Sequence, residues 1–126
     1  MILVDTSIWI DHFRTADQGL ADLLDERALL AHAFVIGELA LGQLAERRMV
    51  LEFLQDIPLA ITASENEVLY FIEKHRLAGQ GIGYVDAHIL ASAQLTAGTR
   101  LWTRDKRLSA VAEQMGLSME TTAPLH

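Results

Sequence analysis

Ile2-Leu3-Val4-Asp5-Thr6-Ser7-Ile8-Trp9-Ile10 opens with a short apolar run, then one acid, two hydroxyls and a second apolar run. It reads as a buried strand that ends at Asp5 and turns into a helix over residues 7–14. The pattern recurs along the chain. Further strands are expected at 29–33, 58–61 and 100–103, with a weaker one at 117–119. Helices are expected at 17–26, 35–45, 47–54, 64–77, 85–97 and 106–115. Short apolar runs alternating with helical segments argue for an α/β fold, a central parallel sheet of four to five strands covered by helices. Ser64 followed by Glu67 is a capping-box helix start, and Gly98 and Gly116 stand where helix C-caps belong.

The chain has 126 residues, enough for one domain over 1–126 with its own core and too few for two ordinary ones. It has no cysteine, which excludes disulfides, zinc-thiolate sites and thiol nucleophiles. No basic segment or cleavage site precedes Ile2 and no apolar run reaches the length of a membrane span, so a soluble, cytoplasmic protein is expected. No internal repeat, low-complexity tract or linker is visible. Gly79, Gly81 and Gly83 form a loop that follows a helix rather than a strand, the wrong place for a dinucleotide fingerprint, and no phosphate-binding loop ending in Gly-Lys-Ser/Thr occurs.

Four acids stand nearly alone within apolar stretches: Asp5, Glu38, Asp86 and Asp105. A carboxylate taken from water without a partner costs several kcal/mol or becomes neutral, so an apolar setting retains one for a reason. A shared site for hard divalent cations is such a reason, because Mg²⁺ and Mn²⁺ prefer oxygen ligands. Asp5 and Asp105 each follow a strand and precede a helix, and in an open parallel sheet the carboxyl ends of the strands border the ligand crevice. Each acid also has a plain structural reading. Asp5 and Asp105 suit helix N-caps, Asp86 complements the dipole of its helix, and Glu38 suits the solvent-facing side of a half-exposed helix. Four coincidences are less economical than one cause. Without a cation the clustered charges would repel, so Asp5→Asn is expected to stabilise the metal-free protein by about 1 kcal/mol.

Thr6, Ser7 and Thr103 lie beside these acids and suit either helix caps or groups that orient a carboxylate, the capping reading being the stronger for Ser7. His12, His32, His75, His88 and His126 show no metal-ligand spacing and no histidine joins a serine triad, so hydrolysis would rest on water activated by metal. His32 reads as a satisfied core residue. The net charge of −7 is unusual for a nucleic-acid partner, although two divalent ions would bring it to −3. Arg104, Lys106 and Arg107, beside Asp105, are candidates for phosphate contact or for a solvated helix start. An apolar content of 51% suits a self-interface, a partner groove or a generous core.

Taken in order, Val4-Asp5-Thr6-Ser7 with Trp9-Ile10-Asp11, Ile36-Gly37-Glu38-Leu39 with Gly42, Asp86-Ala87-His88-Ile89-Leu90-Ala91 and Leu101-Trp102-Thr103-Arg104-Asp105 resemble the PIN-domain ribonucleases. The likeness is closest to the VapC-type toxins of toxin–antitoxin pairs. That resemblance implies a three-layer α/β/α domain and a Mg²⁺- or Mn²⁺-dependent endoribonuclease whose products carry 5′-phosphate and 3′-hydroxyl ends. It also implies a homodimer and a cognate antitoxin whose C-terminal segment covers the site. The family's acids fall on Asp5, Glu38, Asp86 and Asp105, with Thr103 as supporting hydroxyl. On this reading Asp5, Asp86 and Asp105 hold the principal metal, Glu38 helps a second ion, and Thr6, Arg104, Lys106 and Arg107 are the substrate-side residues. Where many members carry another acid two residues after the fourth, this chain has Arg107, so a fifth ligand is absent. Two rivals remain: a receiver-type phosphoacceptor module, which would want lysine where Thr103 stands, and a PIN-like scaffold that binds RNA or protein without cutting.

Overall fold

The computed structural model describes residues 1–119. The order of elements is β1 (Ile2–Val4), α1 (Thr6–Arg14), α2 (Gln18–Asp25), β2 (Leu29–Leu30), α3 (Ala33–Leu41), α4 (Arg47–Gln55), α5 (Glu65–Lys74), α6 (Tyr84–Leu95), β3 (Arg100–Trp102) and α7 (Lys106–Gln114). All strand pairings are parallel and the order across the sheet is β2-β1-β3. Leu3 lies between Leu30 and Leu101, and Val4 is in register with Trp102. Because the chain leaves β1 in one direction and returns to its other side at β3, the order reverses at β1. Right-handed crossovers then put α1 to α4 on one face and α5 to α7 on the other, which gives the three layers. The packing of α3 on α1 and α4, and of α5 on α6, agrees with that division.

Among the described residues the expected four to five strands reduce to three, with single parallel bridges outside them. Leu59 bridges Ala31 on one edge and Ser118 bridges Leu101 on the other. On the first edge Pro58 supplies a carbonyl to the Ala31 N–H but has no N–H of its own to extend the ladder. Leu59 and Ile61 also turn outward, at 55% and 53% exposure. On the second edge Gly116, in the left-handed region at φ 70°, closes α7, and Leu101 then exchanges hydrogen bonds with Leu117 and Met119.

Helix boundaries follow local chemistry. Ser64 and Glu67 form the reciprocal capping box that starts α5. α3 begins two residues earlier than its apolar pattern implies, because the His32 ring, rather than a Ser, Thr, Asp or Asn, accepts the Phe34 N–H at 3.0 Å. It ends early at Gly42, so residues 43–45 belong to the link into α4. The core runs through Leu3, Ile8, Trp9, Leu20, Leu39, Leu54, Ile89, Leu90, Leu101 and Leu108, all fully buried. α6 is buried at every position from Ala87 to Ala93, so it is a central helix that fixes Asp86, in its first turn, against the end of the sheet. Among the described residues no helix is long and apolar enough to cross a membrane.

Candidate active site

Ligand crevices in open parallel sheets form where the strand order reverses, outside the carboxyl ends of the strands. Here that point lies between β1 and β3, which are followed directly by Asp5 and Thr103. Asp5 occupies the N-cap position of α1 but its side chain makes no cap bond. The carboxylate is instead buried, at 7% exposure, and held from the neighbouring strand. Thr103 Oγ1 donates to Asp5 Oδ2 at 2.7 Å, and Ser7 Oγ donates to the same oxygen at 3.3 Å.

The direction of those two hydroxyl protons is set by the backbone after β3. Asp105 N–H donates to Thr103 Oγ1 and Arg104 N–H donates to Ser7 Oγ, both at 3.1 Å. Each hydroxyl therefore has an acceptor lone pair occupied and turns its proton to Asp5. Among the described residues Asp5 Oδ1 accepts no hydrogen bond, so one oxygen is anchored and the other is open.

The other acids surround this carboxylate without touching it. Asp86 is half-buried, and its Oδ2 accepts the Gly83 N–H at 2.9 Å. Burial pushes its pKa up, the Gly83 bond opposes this, and the charges of Asp5 and Asp105 push it up further. Asp105 is exposed and caps α7, with Oδ1 accepting from Arg107 N–H at 2.9 Å and Leu108 N–H at 3.1 Å. Its structural reading is thus realised, with Oδ2 left over. Glu38, on the exposed side of α3, accepts from Thr6 Oγ1 at 2.9 Å, so Thr6 orients an acid. Among the described residues no three His, Cys, Asp or Glu side chains converge into a ready cage. Each carboxylate is tied to its own local donor instead.

The bases divide. Arg104 pairs with Asp11 at 2.5 Å and with Asp17 at 3.4 Å, so its guanidinium clasps α1 to the segment before α2. Lys106 and Arg107 are exposed and form no ion pair among the described residues. The histidines lie apart from the acids. His12 accepts the Asp17 N–H, His75 packs on Phe71, and His88 lies between Phe34 and Tyr84. His32 is a satisfied core residue, bonded to Ser92 Oγ at 2.9 Å, and burial with the nearby His88 lowers its pKa to about 4. His126 lies outside the described residues.

Ser7 suits either a cap or a group that orients a carboxylate, the cap being the stronger reading, and in the structure it bonds Asp5. The N–H groups of Arg104 and Asp105, which orient both hydroxyls, carry no signature in residue type.

The PIN-domain family model matches residues 2–114. The chain belongs to the PIN-domain family. It is 45% identical over 119 residues to Ribonuclease VapC32 of Mycobacterium tuberculosis, in strains CDC 1551/Oshkosh and H37Rv alike. The alignment covers 94% of this chain and 96% of that protein. That family match excludes the receiver-type alternative.

Proposed function

We propose that this PIN domain, residues 1–126, is a Mg²⁺- or Mn²⁺-dependent endoribonuclease and the toxin of a toxin–antitoxin pair acting in the cytoplasm. The observation that carries the reading is Asp5: a buried carboxylate with one oxygen fixed by Thr103 and Ser7, the other open, and Asp86 near enough for mutual repulsion. The similarity to Ribonuclease VapC32 supports the same reading.

The donor set suits a hard divalent cation. Asp5, Asp86 and Asp105 would hold the principal ion and Glu38 would help a second, and their looseness suits Mg²⁺, which keeps several waters. When bound, such an ion polarises the scissile phosphate and lowers the pKa of a water. The protein's own groups do the rest. Thr103 and Ser7 fix the position of Asp5 Oδ2, and Thr6 holds Glu38 in the same way. Water adds to phosphorus, the bond from phosphorus to the 3′ oxygen breaks, and that oxygen leaves with a proton as a 3′-hydroxyl, so the other product keeps a 5′-phosphate. Lys106 and Arg107 meet the RNA backbone. Arg104, engaged by Asp11 and Asp17, positions the turn that orients the hydroxyls.

The antitoxin would close a groove of about 660 Å³ between α1 and the segment joining α3 to α4, lined by Ile10, Phe13, Leu39 and Val50, with Glu38 at its wall. Apolar walls ending at an acid suit an amphipathic helix that carries an Arg or Lys toward the carboxylates. The toxin itself is a homodimer on this reading. Expression should slow growth, and Asp86→Asn should relieve it at equal protein level; equal toxicity of that variant would count against catalytic poisoning.

A further inference from the structure

The Arg107 side chain has a specific neighbour. Gly81 has φ +81°, and a Cβ built on it would lie 2.7 Å from Arg107 Cδ and 2.8 Å from Nη1. The Arg107 side chain thus lies in contact with the Gly81 backbone, in space that any other residue would fill. The two ends of this contact are the supports of two site acids. Arg107 N–H donates to Asp105, and two residues after Gly81 the Gly83 N–H donates to Asp86. The guanidinium bridges the α5–α6 loop and the start of α7 at the rim of the acid cleft. Among the described residues it has no carboxylate partner.

An exposed arginine with no partner ordinarily spreads over many rotamers. Gly81 narrows the choice by giving the chain a groove to lie in, which pre-organises the charge for an anion. We propose that the loop over residues 79–83 is a cradle for Arg107, holding its guanidinium at the cleft rim to take a backbone phosphate of the RNA next to the one cut. The proposal rests on the ribonuclease reading above and assigns the loop a role in substrate binding. Arg107 compensates locally for a net charge of −7. A lysine would not serve equally, since it lacks the planar fork that offers paired donors to a phosphate.

Gly79 supplies an internal control. Its φ of +77° makes alanine as strained there as at Gly81, but nothing lies within 4 Å of a Cβ at that position. Gly79→Ala therefore strains the backbone without displacing Arg107, whereas Gly81→Ala does both. The test measures anisotropy of a fluorescein-labelled single-stranded RNA in EDTA, over a salt series, beside thermal melting. Arg107→Gln and Gly81→Ala should each weaken binding about three- to ten-fold and lower the slope of log affinity on log salt by about 0.7, the value for one phosphate of a single strand. Combining them should add nothing further. Gly79→Ala should melt as low as Gly81→Ala yet keep the wild-type affinity and slope. Arg107→Gln needs no backbone change, so it decides the phosphate contact even where the glycine variant does not fold. Wild-type affinity and slope for Arg107→Gln would overturn the proposal, as would equal loss in Gly79→Ala and Gly81→Ala. Failure of the wild type itself to bind or cleave RNA would overturn the ribonuclease reading as well.

Discussion

Thr103 Oγ1 donates to Asp5 Oδ2 at 2.7 Å across two parallel strands, 98 residues apart in sequence, while accepting the Asp105 N–H at 3.1 Å. One hydroxyl thereby ties the acid at the end of β1 to the turn that leads into α7. Thr103→Val keeps the shape but strips Asp5 of its shorter hydrogen bond and leaves a backbone N–H without its acceptor. RNA cleavage should fall about 10- to 100-fold, as for loss of a group that orients a metal-site ligand. Stability should fall by about 1–3 kcal/mol. Thr103→Ser should restore most of both. Single-turnover rates and thermal melting distinguish this from a merely structural threonine, whose serine variant would gain stability without gaining rate.

Asp86 carries the electrostatic strain of the cluster. The sequence suggested Asp5→Asn as the relieving change, but Asp5 has two hydroxyl donors, whereas Asp86 is pushed up by burial and by the charges of Asp5 and Asp105. A carboxyl with a raised folded pKa binds its proton more tightly when folded, so its ionised form costs stability at neutral pH and the cost fades as pH falls below the folded value. In EDTA at pH 7, Asp86→Asn should therefore melt higher than the wild type. It can still accept the Gly83 N–H. Added Mg²⁺ should stabilise the wild type more than the variant. A lower melting temperature for Asp86→Asn in EDTA would show that its helix-capping role outweighs the repulsion.

Much of this arrangement is legible in the sequence. The strand-acid-helix reading of residues 2–14 matches β1, Asp5 and α1, and the reading at 100–106 matches β3, Asp105 and α7, because buried strands and helix starts are encoded by neighbours in the chain. The start of α3 was displaced because a histidine ring does the capping, a role residue preferences do not announce. The outer strands shrank to single bridges because edge pairing depends on how many N–H groups face the sheet. In the site, the acids could be named one by one. Their bonds to Ser7, Thr6 and the backbone of the β3–α7 turn are contacts across the fold, and the alignment of β1 with β3 decides them.

His32 makes stability depend on acid. Its folded pKa of about 4 lies below the ordinary value of 6.5, so between those limits the unfolded chain takes up a proton that the folded core refuses. Stability is full above pH 6.5 and is lost as pH falls toward 4, by on the order of 3 kcal/mol. His32→Asn, which can still cap Phe34, should lower stability at pH 7 and flatten this dependence. Melting from pH 4.5 to 7 checks it, and equal slopes in the two proteins would exclude His32 as the source.

Ile10, 40% exposed, lines the groove assigned to the antitoxin. Ile10→Glu should weaken binding of the antitoxin tail peptide by about ten-fold or more, the worth of burying one aliphatic side chain, and leave RNA cleavage intact. High Mg²⁺ should weaken the peptide in the wild type if its cation enters the acid site. Unchanged peptide affinity in Ile10→Glu would place the antitoxin on another face.

Cleavage of a labelled RNA by the purified protein, followed with Mg²⁺, with Mn²⁺ and in excess EDTA, with the ends of the products analysed, tests the central claim most directly. We expect cutting with either metal, 5′-phosphate and 3′-hydroxyl ends, and no cutting in EDTA or by Asp5→Asn at matched folded concentration. Undiminished cleavage in EDTA, or full activity of Asp5→Asn, would contradict a carboxylate-held metal as the catalytic apparatus.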